Sequence, residues 1–179
     1  MSHPDHFALL ALPARFAIDE AALERAHKEV QSKVHPDRHV AASAAGQRVA
    51  MQWAARANEA FRTLRSPLRR AQYLCERAGV PVDEGSNSPM AAEFLMQQMN
   101  WRESLEDAGR DPALLDSLES TMNAERDRLI AEIGQAIDER GDHAAASELV
   151  RQLMFVERFA EDIVAAREAH LAGRRQASA

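Results

Sequence analysis

In several stretches of this chain apolar residues recur at intervals of three and four, the spacing that lines one face of an α-helix. Leu23, Ala26, Val30 and Val34 form the first such stripe, and Asp19 stands before it as an N-cap. That helix must stop near Val34, because Pro36 disfavours helical backbone at His35 and has no amide to donate. A second long helix spans about 41–64, with Ala50, Trp53, Ala57, Phe61 and Leu64 on its predicted core side. Ser66–Pro67 ends it and opens a shorter helix through Tyr73 and Leu74, while Phe7 to Leu12, closed by Pro13, allows a turn or two near the start. The pattern predicts an antiparallel hairpin flanked by two short helices, with His35–Pro36–Asp37–Arg38–His39 as the hairpin loop.

Between Val80 and Pro89 lie two prolines, Gly85, Ser86, Asn87 and Ser88, the composition of a linker. Start signals then follow at Ser88–Pro89, at Asp111–Pro112 and at Gly141–Asp142, which predict helices over 89–108, 112–140 and 142–171. Phe94, Trp101, Leu105 and Ala108 gather on one side of the first, and Leu149, Leu153, Val156, Ala160 and Ile163 on one side of the third. The expected organisation is a helical module over 1–78, a linker over 79–88, a three-helix bundle over 89–171 and a frayed tail over 172–179.

Composition agrees. Ala, Glu, Arg, Leu and Gln fill the chain and aromatics reach only 5% of 179 residues, which favours an all-α class. The net charge of −6 hides an asymmetry: residues 1–75 carry eleven Lys and Arg against seven Asp and Glu, and the remainder carries eleven against twenty-one. Two modules meeting different partners would show such a split. A nucleic-acid binder would show a larger basic excess and more stacking aromatics, so none is expected. Cys75 is the only cysteine, which excludes an intrachain disulfide or a structural zinc site, and its simplest reading is a small buried residue. No run is long and apolar enough to span a membrane and the start lacks signal-peptide character, so a cytoplasmic protein is expected.

His35, His39 and Asp37 raise the question of metal ligation or acid–base catalysis. Pro36 prevents a helical His-x-x-x-His pair, no nucleophile has a plausible partner and no Gly-rich phosphate loop is present. Alone, the tripeptide reads as a capping turn in which Asp37 bonds local amides. The chain's only two lysines, Lys28 and Lys33, lie with Arg25 on the helix leading into this loop. They make either a solvated face or a basic surface that steers an acidic partner.

A short helix, a basic helix, His35–Pro36–Asp37, then Asn58–Glu59–Ala60–Phe61, Leu64, Pro67, Arg70–Ala71 and Tyr73 together resemble a J domain. J domains stimulate ATP hydrolysis by DnaK-type chaperones, and the resemblance implies that the His-Pro-Asp loop makes the essential contact. Pro36 would stiffen that loop, and Asp37 would offer a charge-assisted bond to a partner arginine. Leu9, Leu12–Pro13–Ala14–Arg15–Phe16, Leu68–Arg69–Arg70–Ala71 and Tyr73–Leu74, with the acidic bundle behind them, narrow the resemblance to the HscB family, J-type co-chaperones of bacterial iron–sulfur cluster assembly. It covers about residues 5–171. Arg38 stands where the family more often has Lys, and the N-terminal cysteines of some eukaryotic members are absent, so no metal or other cofactor is expected.

The 89–108 helix carries more apolar residues than one core stripe needs. At about 100° per residue, Leu95, Met96 and Met99 fall on a second face together with Glu103 and Asp107, and Phe155 points away from the third helix's stripe. Such residues either pack on neighbouring helices or form a docking surface rimmed by acids. The resemblance implies the latter: Leu95, Met96, Met99, Glu103, Asp107 and Phe155 match the surface on which the family binds the scaffold IscU, with Asn100 where an acid is usual. It implies HscA as the chaperone partner, docked through Arg25, Lys28, Lys33, His35, Pro36, Asp37 and Arg38. The protein would be an adaptor without catalysis of its own; the alternative is a J-domain protein with another client.

Overall fold

The computed structural model describes residues 5–34, 44–82, 92–109 and 111–177, and every regular element among them is helical. In chain order these are α1 (His6–Leu9), α2 (Glu20–Val34), α3 (Ala44–Arg65), α4 (Pro67–Arg77), α5 (Ala92–Ala108), α6 (Pro112–Gly134), a π-helical turn (Gln135–Glu139) and α7 (His143–Ala177). The hairpin loop from His35 to His39 and linker residues 83–88 lie outside the described residues. Five helices begin where a side chain satisfies a free first-turn amide: α1 by Asp5, α2 by Asp19, and α4, α6 and α7 as follows. Ser66 Oγ accepts from Arg69 N–H at 3.3 Å, Asp111 Oδ1 from Ala113 N–H at 2.9 Å and Asp142 Oδ1 from Ala145 N–H at 2.9 Å. Gly109 and Gly141 precede the last two in left-handed backbone, φ +52° and +63°, which a Cβ would strain.

α2 and α3 form the expected hairpin. Leu23 packs with Ala60 and Leu64, and the His27 ring stacks on Phe61 at 4.2 Å while Nε2 lies 2.9 Å from Asn58 Oδ1. α1 is pinned to α4: the Tyr73 hydroxyl donates to Asp5 Oδ1 and accepts from the His6 amide, both at 3.0 Å, and Arg77 pairs with Asp5 at 2.8 Å. Trp53 departs from expectation. Ala57, Ala60 and Leu64 on the same side of α3 are fully buried, whereas Trp53 is 38% exposed beneath the Arg56 guanidinium. Ala50, a turn before it, is buried as well, so the small residues of this stripe are covered while the larger indole stands partly clear of the packing.

α4 packs across α7, and the buried residues of the N-terminal helices and of the bundle form one continuous cluster. Gln72 Nε2 reaches Met154 Sδ at 3.5 Å, and the buried Cys75 thiol faces the His143 carbonyl at 3.7 Å. Burial, with Glu76 nearby as a lesser cause, pushes this thiol from the ordinary 9.0 up to about 11. Since only the thiolate reacts, iodoacetamide at pH 8 is expected to leave Cys75 unmodified in the folded protein and to label it in denaturant, as read by intact mass. Because the folded-state value is raised, its contribution to stability is complete below pH 9.0 and is lost as pH rises toward about 11.

In the bundle, Leu115, Met122, Leu129 and Ile133 of α6 face Val150, Leu153, Val156 and Ile163 of α7, and Arg167 bridges Asp116 and Glu119 at 2.5 and 2.7 Å. One expectation fails here. The helix expected over 112–140 is α-helical only to Gly134. A wider turn follows, in which Arg140 N–H bonds Gln135 O at 3.1 Å and which keeps Ala136 and Ile137 buried. α7 runs to Ala177, into the 172–179 segment expected to fray.

Candidate functional site

α5 has two apolar faces and only one of them is covered. Phe94, Trp101 and Ala108 are buried against the bundle. On the opposite side Leu95, Met96 and Met99 are 45%, 66% and 70% exposed. Fully burying a large apolar side chain is worth about 1.5–3 kcal/mol, so leaving three together this exposed forgoes much of that gain for the chain's own folding. Glu103 and Asn100 are exposed on the same outer face.

Phe155 and Asp107 flank this strip on opposite sides. Phe155 belongs less to the exposed strip than its angle on α7 predicts. Its ring is half-buried, stacked on Trp101 at 6.2 Å and Phe159 at 6.0 Å and edge-on to Phe94 at 5.9 Å. α5 lies close enough to α7 for its rings to cover that side. The Arg102 guanidinium stands 5.9 Å from the Phe155 ring centroid, and Arg158 and Asp162 continue the rim of the same seam. On the other flank Asp107 edges a shallow groove between α5 and α6, floored by Trp101, Ala108 and Leu118 and bordered by Leu114, 49% exposed. Arg102 and Leu114 escaped the sequence reading. Arg102 lies seven residues after Leu95, on the same side of α5, and the helix period alone could have added it. Leu114 has no such signal, because its proximity to α5 is set by the turn at Gly109.

The residues matched to a chaperone contact divide between described and undescribed. His35, Pro36, Asp37 and Arg38 lie outside the described residues. Arg25, Lys28 and Lys33 are exposed on α2, but they are not one stripe: Arg25 and Lys28, three apart, share the outer side, and Lys33 lies about 140° round from Lys28. Lys33 bonds Glu29 at 2.7 Å, which holds that carboxyl below its usual range, and Arg25 approaches Asp19 at 3.7 Å. Exposed pairs of this kind are weak and leave the cations open to exchange partners. Among the described residues no helix is long and apolar enough to cross a membrane, and no three His, Cys, Asp or Glu side chains gather to hold a metal.

The surface described above lies in a known domain. A family model for the HSCB C-terminal oligomerisation domain matches residues 90–164, which run from α5 into α7. The chain is 54% identical over 166 residues to a co-chaperone protein HscB homolog of Bordetella parapertussis, covering 93% of this chain and 98% of that one. A co-chaperone protein HscB homolog of Burkholderia multivorans shares 52% over 160 residues, 88% and 91% of the two chains. Among solved structures, the chaperone HscB from Vibrio cholerae matches with TM-score 0.80 at 30% identity over 93% of this chain and 99% of its own. Human co-chaperone HscB matches with TM-score 0.84 at 26% identity over 89% and 80%. Both have the arrangement found here, a J domain followed by a C-terminal helical domain. With that fold and this identity across nearly its whole length, the chain belongs to the HscB family of co-chaperones.

Proposed function

We propose that this protein is an adaptor that joins an iron–sulfur scaffold of the IscU type to a DnaK-type chaperone of the HscA type and stimulates the chaperone's ATPase. The observation that carries the reading is the uncovered face of α5, where Leu95, Met96 and Met99 stand exposed between Phe155 on one flank and Asp107 on the other. An apolar centre with a charged rim is the anatomy of a specific protein interface. The chaperone contact is assigned to Asp37, stiffened by Pro36, with His35, Arg38 and the α2 cations Arg25, Lys28 and Lys33 around it. ATP hydrolysis belongs to the chaperone, this chain contributes binding energy and orientation, and both meet in the cytoplasm.

Steady-state ATPase of an HscA-type chaperone, measured with this protein, with an IscU-type scaffold and with both, tests the reading. Stimulation by the protein alone and a further rise with the scaffold are expected. Scaffold that neither binds in calorimetry nor adds stimulation would remove IscU as the client. Binding of unfolded peptides in its place would make the protein a J-domain co-chaperone for other clients.

A further inference from the structure

The N-terminal module touches the bundle in two chemically different ways. α4 packs across α7 mainly through apolar side chains, with Gln72–Met154 and Cys75–His143 as its polar contacts. The second contact is directional. Asp138, on the π-helical turn after α6, accepts the backbone amides of both Phe16 and Ala17 at 2.7 Å, 122 and 121 residues away in sequence. Its side chain is 12% exposed, and Arg15 Nε lies 3.6 Å from Oδ2. Between these bonds the Phe16 ring is buried, with the Arg70 guanidinium 4.9 Å from its centroid on the α4 side. On the bundle side the ring comes within 3.2 Å of where a Cβ on Gly134 would stand.

Each part of this clasp is costly to the local structure. A π turn replaces the end of a regular helix, a glycine occupies a helix, and Arg70 is buried with its Nε lacking a hydrogen-bond partner. Together they place one carboxylate against the 14–17 segment that leads into α2.

We infer that Asp138 is a positioning residue: by clasping the Phe16 and Ala17 amides it fixes the angle between the hairpin that meets the chaperone and the α5 face that meets the scaffold. This rests on the proposed adaptor function. A carboxylate that accepts two adjacent amides defines a direction, and loss of one charge-assisted bond shifts an equilibrium by roughly tenfold or more. Loss of the clasp leaves both docking surfaces intact and misaligns them.

The test uses the full chain carrying spin labels at Gln52 on α3 and Asp127 on α6, both exposed, with Asp138→Ala and with the isosteric Asp138→Asn. Both variants are expected to keep their helicity, their scaffold affinity and their stimulation of the chaperone without scaffold. The label distance distribution broadens, and the extra stimulation that scaffold adds falls by about tenfold. Asp138→Asn retains one acceptor and lies between the parent and Asp138→Ala; should the alanine variant not fold, the asparagine variant decides. Distributions as narrow as the parent's overturn the inference, and so does broadening that leaves the scaffold's added stimulation intact. A parent protein to which scaffold adds no stimulation would refute the adaptor reading instead, while the distance widths still judge the clasp.

Discussion

Replacing Asp37 by Ala is expected to abolish stimulation of the chaperone's ATPase while scaffold affinity stays within about twofold of the parent, since Asp37 and the α5 residues proposed to bind the scaffold belong to different segments of the chain. The magnitude follows from the kind of bond proposed. Truncating one side of an interfacial charge pair costs about 2–5 kcal/mol, because the partner's charge is left without a counterpart. At equal protein concentration that is a loss of roughly 30-fold to several thousandfold in the productive complex. Asp37→Asn keeps the shape and one acceptor but removes the charge, and it should retain little more. Single-turnover hydrolysis, with circular dichroism to confirm folding, measures both. Stimulation that persists with Asp37→Ala would show that the loop's carboxylate is not the contact.

Leu95→Ala combined with Phe155→Ala is expected to weaken scaffold binding by about 2–4 kcal/mol, the range of anchor residues at the centre of an interface. The two substitutions differ in their other effects. Leu95 is 45% exposed and its loss should leave the melting temperature nearly unchanged. Phe155 stacks on Trp101 and Phe159, so its removal also opens the seam between α5 and α7. Leu95→Ala with Met99→Ala therefore serves as the clean measure of the surface, with calorimetric titration of an IscU-type scaffold as readout. Unchanged affinity in both double variants would end the assignment of this face.

Signals carried by neighbouring residues were legible in the sequence. Ser66–Pro67, Asp111–Pro112 and Gly141–Asp142 mark the starts of α4, α6 and α7, because a cap and its first-turn amides lie within three residues of each other. The second apolar face of α5 was equally readable, since a helix period needs only one helix. What depends on a third element was not. Whether Trp53 is covered depends on how the helices packed on α3 fit around so large a ring, and whether Phe155 is free depends on how near α5 comes to α7. The bonds from Asp138 to Phe16 and Ala17 join segments more than a hundred residues apart, and an Asp ahead of Arg140 and Gly141 looks like an ordinary helix end. The exposed residues of α5 could thus be read from the sequence as a list, but how their face is oriented relative to α2 and α3 could not.

The unbroken cluster of buried side chains from Phe7 through Cys75 to Ile163 has a consequence for how the molecule comes apart. A chain cut after α4 would strip the cover from α7, and the two fragments would each bare the hydrocarbon that the other had hidden. The natural unit of melting is then the whole polypeptide, with heat removing both halves in a single cooperative transition.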